Sequence, residues 1–460
     1  VLLPDDHRLI ASEPDLPGLG TVLDPPTLLG RLGPAWGRGD AVAAEVTYLR
    51  HKPGTSVVVG LTVRTADGST HLAYAVAHRL DAPAKLDKLR DAGARDLAGR
   101  GVALDRALGI ALVDATADRH LPGVRSLLAA DADATEALVY KPARRWVAVQ
   151  RPATGVPSLV KIHRPTRTYD NLVGHRLLHG TRVPVPRVLE VRPGQGLIRT
   201  EFVPGAALDR IQPAPPGAWA GAGELLATLH ALGPSGDAVE VNRGAGLAAA
   251  VSAVRSAVPT AVAQARETVE LVRSVLVGRD VRTVVHGDFS ADQVIVRPDL
   301  ARAAAPEHGE LPARPGQAPL TLVDLDRVGV DDPLADVASW AAHEIVSGRT
   351  GGASDPVTVL GPVLDGYTAS GGLVDERALA ALTAGALLQR AVEPFRTHQP
   401  DWGERVTTLV DTAHRLAVAA HGSGARRRRP EARRAAGGRA GPRAAEPAAA
   451  GGSDRMGVRR

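Results

Sequence analysis

Apolar residues in this chain change their spacing near Pro213. Upstream they fall in short runs rich in β-branched residues and cut by turn residues; downstream they recur every three or four positions to about residue 420. Val46–Arg50, Ser56–Arg64 and His71–Ala77 read as strands, with Ala66-Asp67-Gly68 as a turn between the last two. Leu86, Leu89 and Leu97 predict a helix over 83–99, followed by a strand at Leu108–Val113 and a loop at His120-Leu121-Pro122-Gly123. A second series follows: strands at Ala137–Lys141, Trp146–Arg151 and Ser158–His163, a helix over 168–179 and two strands within 187–202. Past Pro213, Leu225, Leu226, Leu229 and Leu232 line one side of a helix, and one or two long helices cover 245–277. A β interruption at 283–296 and a strand at Leu320–Asp324 precede helices over 334–347, 357–368, 376–393 and 403–420. Strands first and helices after is the order of an α+β fold. Residues 1–40, rich in Pro, Gly and Asp, are expected to be loops with one short helix near Pro26–Leu32.

The two β series echo each other. Leu49-Arg50-His51-Lys52-Pro53-Gly54 resembles Leu138-Val139-Tyr140-Lys141-Pro142-Ala143, and each stretch opens a β run, a turn and another β run. A duplicated meander-plus-helix unit and a chance match both account for so short an echo.

Composition narrows the chemistry. Among 460 residues there is no cysteine, which excludes disulfides, thiolate metal sites and thiol catalysis, and suits a reducing compartment. The formal charge is +5, but residues 425–460 hold eleven arginines against three acids, a net +8, so the other 424 residues sum to −3. The basicity therefore belongs to a low-complexity Arg/Ala/Gly/Pro tail, read as disordered, and nucleic acid is not an expected partner beyond weak contact through that tail. No apolar run approaches the roughly 18 residues that span a membrane, and Val1–Ile10 lacks the basic start and apolar core of a signal peptide. The expectation is a cytoplasmic protein without a membrane partner.

Three blocks carry the chemistry. His286-Gly287-Asp288-Phe289-Ser290-Ala291-Asp292-Gln293 is followed by Leu320-Thr321-Leu322-Val323-Asp324-Leu325-Asp326-Arg327, then by Asp331-Asp332-Pro333-Leu334-Ala335-Asp336. In this order they resemble the catalytic core of aminoglycoside phosphotransferases and choline kinases, with some maltokinase-like features. The resemblance covers roughly residues 135–420 and implies a two-lobed protein-kinase-like fold. Its parts are an N-terminal β-rich cap module (1–130), a kinase-like N-lobe (131–205), a mostly helical C-lobe with the catalytic loop (206–422) and the tail (423–460).

The resemblance also implies roles. Phosphoryl transfer asks a protein mainly to position groups and neutralise charge. Asp288, on a loop that a glycine at 287 allows to turn tightly, is the expected catalytic base. Gln293 and Asp324 are the expected Mg²⁺ ligands, hard oxygen donors from one loop and one strand end; Asp326 is the rival of Asp324. Lys161, on a strand, is expected at the ATP phosphates, and Glu201 and Val203 at the adenine. Asp336 and His286 are read as braces.

The departures are the missing Gly-x-Gly-x-x-Gly, replaced by Lys141-Pro142-Ala143-Arg144-Arg145, and the missing helix glutamate that pairs the strand lysine. Asp170 or Asn171 stands nearest that place. Gln293 replaces the commoner Asn. His175 and His179, four apart, have a zinc-compatible spacing but read as a solvated helix face, and the Pro-rich stretch 298–319 as a surface loop. The implied activity is ATP- and Mg²⁺-dependent transfer of the γ-phosphoryl group to a hydroxyl of a sugar, aminoglycoside or amino alcohol. The departures motivate the alternative, a nucleotide-binding pseudokinase acting as a regulatory or scaffold module. For the acceptor, Glu344, Glu376, Glu393, Asp401 and Glu404 are candidate acids, and Trp340 or Trp402 a candidate sugar platform.

Overall fold

The structure, a computed structural model, describes residues 2–97, 100–215, 217–236, 239–297 and 320–436. It opens with helices α1 (Pro4–Ser12) and α2 (Leu19–Leu23), where loops were expected, and α3 (Pro25–Trp36), which contains the short helix expected near Pro26–Leu32 and runs beyond it. Pro4 and Pro25 stand in the first turn of their helices, where a missing N–H costs nothing. Leu19, Val22, Leu28, Leu32 and Trp36 are buried along the inner faces. Next come β1 (Ala41–Lys52), β2 (Ser56–Thr65), β3 (Thr70–His78), α4 (Pro83–Leu97), β4 (Val102–Asp105), β5 (Ile110–Asp114) and α5 (Pro122–Asp131). The strands form one antiparallel sheet of order β1-β2-β3-β5-β4.

A second sheet repeats this order. It holds β6 (Thr135–Lys141), β7 (Arg145–Gln150), β8 (Ser158–His163), β9 (Val188–Arg192) and β10 (Leu197–Glu201), with α6 (Val173–Leu178) between β8 and β9. Its order is β6-β7-β8-β10-β9, again antiparallel throughout. The likeness extends to backbone detail. Lys52 pairs with Ser56 across one turn and Lys141 with Arg145 across the other. Gly54 (φ 61°) and Ala143 (φ 59°) occupy the same left-handed position. The His78 N–H donates to Gly109 O and the His163 N–H to Gly196 O, both at 2.9 Å. The short sequence echo therefore marks a repeated architecture. Two residues before those histidines stand Val76 in the first sheet and Lys161 in the second.

The rest is mostly helical. β11 (Ala206–Ala207), α7 (Ala218–His230), α8 (Arg243–Ala257) and α9 (Val262–Leu276) precede β12 (Thr283–Val285), β13 (Val294–Val296), β14 (Leu320–Leu322) and β15 (Gly329–Asp331). These strands make two small antiparallel sheets, β11-β13-β14 and β12-β15. α10 (Leu334–Val346), α11 (Pro356–Val359), α12 (Gly361–Ala369), α13 (Glu376–Arg390), α14 (Glu393–Arg396) and α15 (Trp402–Ala436) complete it. The backbone of α15 runs through Gly422, where the tail was expected to begin, as far as Ala436; residues 437–460 and the 298–319 stretch lie outside the described residues. Among the described residues no helix is long and apolar enough to cross a membrane.

Strand alternation sends each sheet face to a different neighbour. Val57, Val59, Leu61 and Val63 of β2 join a core with α1–α3 and with α8, α9, α13 and α15. On the other face, Val58, Tyr74 and Val76 meet Trp146, Val160 and Ile162 of the second sheet. The first sheet is thus wedged between the second sheet and the helical lobe. With Val160 and Ile162 turned to the wedge, the intervening Lys161 and the following His163 point the opposite way. At the far end, α1 is tied down by its own acids. The buried Asp6 accepts hydrogen bonds from His398 Nε2 (2.9 Å) and Trp402 Nε1 (3.3 Å), and Asp5 accepts one from the Gly403 N–H (2.8 Å).

Candidate active site

The catalytic loop leaves β12 and is shaped from below. Asp336, in the first turn of α10 and fully buried, accepts hydrogen bonds from the N–H groups of His286 (2.7 Å) and Gly287 (2.8 Å) and lies 3.2 Å from His230 Nε2. His286, also fully buried, donates from Nε2 to Val323 O at 2.9 Å and so joins this loop to the end of β14. Gly287 takes φ 79°, and a Cβ there would come within 2.3 Å of Arg327 O, so only glycine fits. Both residues act as braces.

This scaffold presents Asp288, Gln293 and Asp324 on the wall of one cleft of about 520 Å³. Asp288 Oδ1 accepts from Arg390 Nη2 at 2.5 Å, and Oδ2 lies 3.4 Å from Arg327 Nη1. Burial opposes its ionisation, but Arg390 and Arg327 outweigh that and hold its carboxyl below the usual carboxylate range. Arg390 is itself steadied by Ser339 Oγ at 3.0 Å.

Asp324 stands at φ 61°, a left-handed conformation that aims its carboxylate into the cleft. Lys161 Nζ bonds its Oδ1, and Arg145 Nη1 lies 3.4 Å from Oδ2. Its burial also disfavours charge, and the two cations reverse this, so its pKa is lowered. Asp326 lies beside it, 3.2 Å from Lys161 Nζ, 3.5 Å from Arg145 and 3.6 Å from His163 Nε2. Burial works against the Lys161 ammonium, yet Asp326 and Asp324 raise its pKa above the ordinary lysine value. Burial pulls His163 down to about 4, so it is neutral at pH 7.

Of the other expected residues, Gln293 lines the cleft and Glu201 and Val203 fall elsewhere. Gln293 donates from Nε2 to Asp292 at 2.8 Å, so that its amide oxygen is the atom suited to a cation. Glu201 and Val203 are not among the residues lining the cleft. Glu201 bonds Arg187 through both its side chain (2.9 Å) and its N–H (3.0 Å). Asp170 is no partner for Lys161, because it is exposed and 3.3 Å from Arg167. His179 is exposed, whereas His175 turns inward and is buried, so the pair is not a solvated face; burial lowers the His175 pKa.

The aromatic platform is also corrected. Trp340 and Trp402 are buried, their indole N–H groups bonded to Glu344 and Asp6. The cleft lining holds no Trp, Tyr or Phe, and of the five candidate acids only Glu393 belongs to it. Sequence reasoning missed Arg390, which sits over a hundred positions from Asp288 with no motif to announce it; only the inward face of α13 hints at it.

The donor set fits a hard cation. Asp324 and the amide oxygen of Gln293 are oxygen ligands of the kind Mg²⁺ accepts, one or two protein groups completed by water and phosphate. Among the described residues no three His, Cys, Asp or Glu side chains gather into a protein-only metal cage, as this mode of binding requires none. Lys141, Arg145 and Arg327 line the cleft and add positive charge suited to a polyphosphate, whereas Lys161 is not among the lining residues and touches the cleft wall through Asp324.

A family model described as APH, the phosphotransferase enzyme family, matches residues 124–382, more than half of the chain. The chain belongs to this family. Solved structures similar to this family member include a choline/ethanolamine kinase family protein from Mesorhizobium loti, 17% identical, with a TM-score of 0.44 over 65% of this chain and 98% of that one. A macrolide 2'-phosphotransferase from Brachybacterium faecium is 17% identical, with a TM-score of 0.38 over 71% of this chain and 98% of that one. An ethanolamine kinase from Plasmodium vivax is 10% identical, with a TM-score of 0.43 over 62% and 82%. No curated protein matches the chain. Membership places the protein among phosphotransferase enzymes.

Proposed function

We propose that the protein transfers the γ-phosphoryl group of ATP, with Mg²⁺, to a hydroxyl of a small molecule. The observation that carries this reading is the convergence of Asp288, Gln293 and Asp324 on one cleft lined with lysine and arginine. Asp288, kept ionised by Arg390 and Arg327, accepts the proton of the acceptor hydroxyl as that oxygen attacks phosphorus. Asp324 and Gln293 hold the metal, which when bound neutralises phosphate charge. Lys161 and Arg145 hold the inner phosphates of the nucleotide, Arg145 making up for the absent glycine-rich loop. Backbone groups at Glu201 and Val203 receive the adenine. The domain limits given by the sequence, with a cap ending near residue 130 and a hinge near 205, belong to the same proposal.

The acceptor side of the cleft is formed by α8, α10, α13 and α14, which carry His343, Gln389 and Glu393, together with Asp292 of the catalytic loop. Such a mixed-charge wall suits a polar hydroxylated acceptor bound by hydrogen bonds, not by stacking. The test is a metabolite-library phosphorylation screen read by mass shift, run in parallel on the parent and on Asp288→Ala. Transfer is expected from the parent alone, with Mg²⁺–ATP affinity largely retained in the variant. Transfer by Asp288→Ala at near-parent rate would remove Asp288 from the mechanism.

A further inference from the structure

Lys161 is a buried cation that lacks the usual helix carboxylate. α6 supplies none: its inward residues are Gly174, His175 and Leu178, and the nearest upstream acid, Asp170, is engaged by Arg167 at the surface. The helix also stands too close to leave room for one. A Cβ on Gly174 would lie 2.4 Å from Leu325 O and 2.9 Å from Val328 Cβ, so α6 rests directly on the turn Leu325–Arg327. That turn fills the space from which a helix glutamate would reach, and it brings a carboxylate of its own.

We propose that Asp326 is the positioning acid of Lys161, replacing the helix glutamate with a carboxylate two residues beyond Asp324. The proposal rests on the reading of Lys161 as a nucleotide-phosphate ligand. Asp326 Oδ1 lies 3.2 Å from Lys161 Nζ, and the two side chains are only 12% and 11% exposed. Its other oxygen lies 3.5 Å from Arg145 and 3.6 Å from His163. Asp324 lines the cleft, whereas Asp326 and Lys161 both stand outside its lining. The two carboxylates therefore divide the work. Asp324 is free to turn toward a cation in the cleft, while Asp326 stays behind the lysine and keeps both Lys161 and Arg145 aimed forward.

The chain has five lysines, so ¹⁵N-lysine labelling gives a spectrum in which the Lys161 Nζ resonance is assignable by Lys161→Met. Asp326→Asn, Asp326→Glu, Asp170→Asn and Lys161→Met are compared with the parent by Mg²⁺–ATP calorimetry, by steady-state kinetics on the acceptor found in the screen, and by this resonance. Asp326→Asn is expected to weaken Mg²⁺–ATP binding about tenfold, the effect of one lost charge-assisted hydrogen bond. KM for ATP should rise more than kcat falls, and the Lys161 resonance should shift. Asp326→Glu should recover part of the affinity, and Asp170→Asn should match the parent. If Asp326→Asn does not fold, Asp326→Glu carries the test, with a smaller loss and a shifted resonance expected. A folded Asp326 variant that binds the nucleotide as tightly as the parent overturns the proposal. Parent-like binding by Lys161→Met instead overturns the reading of Lys161 on which it rests.

Discussion

Replacing Asp336 by Asn asks whether the base is held in place from beneath. The carboxylate of Asp336 accepts from the N–H groups of two successive loop residues, His286 and Gly287, one on each oxygen, and faces His230. Asparagine keeps one acceptor oxygen and sets an NH₂ group against a donor. One charge-assisted hydrogen bond is lost and a buried N–H is left unpaired, each worth about 1.5–3 kcal/mol. The expected destabilisation is about 3–5 kcal/mol, read as a lower urea midpoint with an unchanged denaturant slope. Because the same bonds fix the backbone two positions before Asp288, kcat should also fall, on the order of a hundredfold for a displacement near 1 Å. The assay pairs urea unfolding with kcat at a temperature where the variant is folded. A variant within about 1 kcal/mol of the parent and unaltered in kcat would refute the view that this brace positions the base.

Other tests follow from the same geometry. Arg390→Met removes one of the two cations that hold Asp288 low, so its pKa rises and the acid limb of the kcat/KM profile moves to higher pH; an unmoved limb contradicts the assignment. Gly287→Ala forces a left-handed alanine against Arg327 O and should cost about 2 kcal/mol or more in urea unfolding, with loss of activity. His163 is held neutral in the fold, with a pKa near 4, whereas the unfolded chain protonates it near 6.5. Its depressed pKa gives stability that is complete above about pH 6.5 and declines as pH falls toward 4, by at most about 3 kcal/mol. His163→Gln should flatten that part of the stability–pH curve.

Strands were the most legible part of the chain because their signal is local. The short β-branched runs of β2, β7 and β8 and the Asp67-Gly68 turn placed them within a residue or two. Of the opening helices only α3 was legible, in part; α1 was not, because Pro4 reads as a breaker when it is a starter and because the helix owes its place to partners near residue 400. The long helical stretch splits at Val258-Pro259 for the ordinary reason that proline cannot continue a helix. At the site, the residues carried by contiguous motifs (Asp288, Gln293, Asp324) line one cleft. Arg390 and Asp326 gained meaning only in three dimensions, one by facing the cleft from a distant helix and the other by the loss of space beside Gly174.

The latch between α1 and the start of α15 joins positions almost four hundred residues apart, with separations of 392, 396 and 398 along the chain. During synthesis the first sheet therefore emerges long before the helices that seal its core, and it must wait with Val57, Leu61 and Val63 unsheltered on one face. α1 is therefore among the last elements to settle, since its partners near residue 400 are made long after it. Pulsed hydrogen exchange during refolding should find α1 and the Trp402 end of α15 gaining protection in the same kinetic phase.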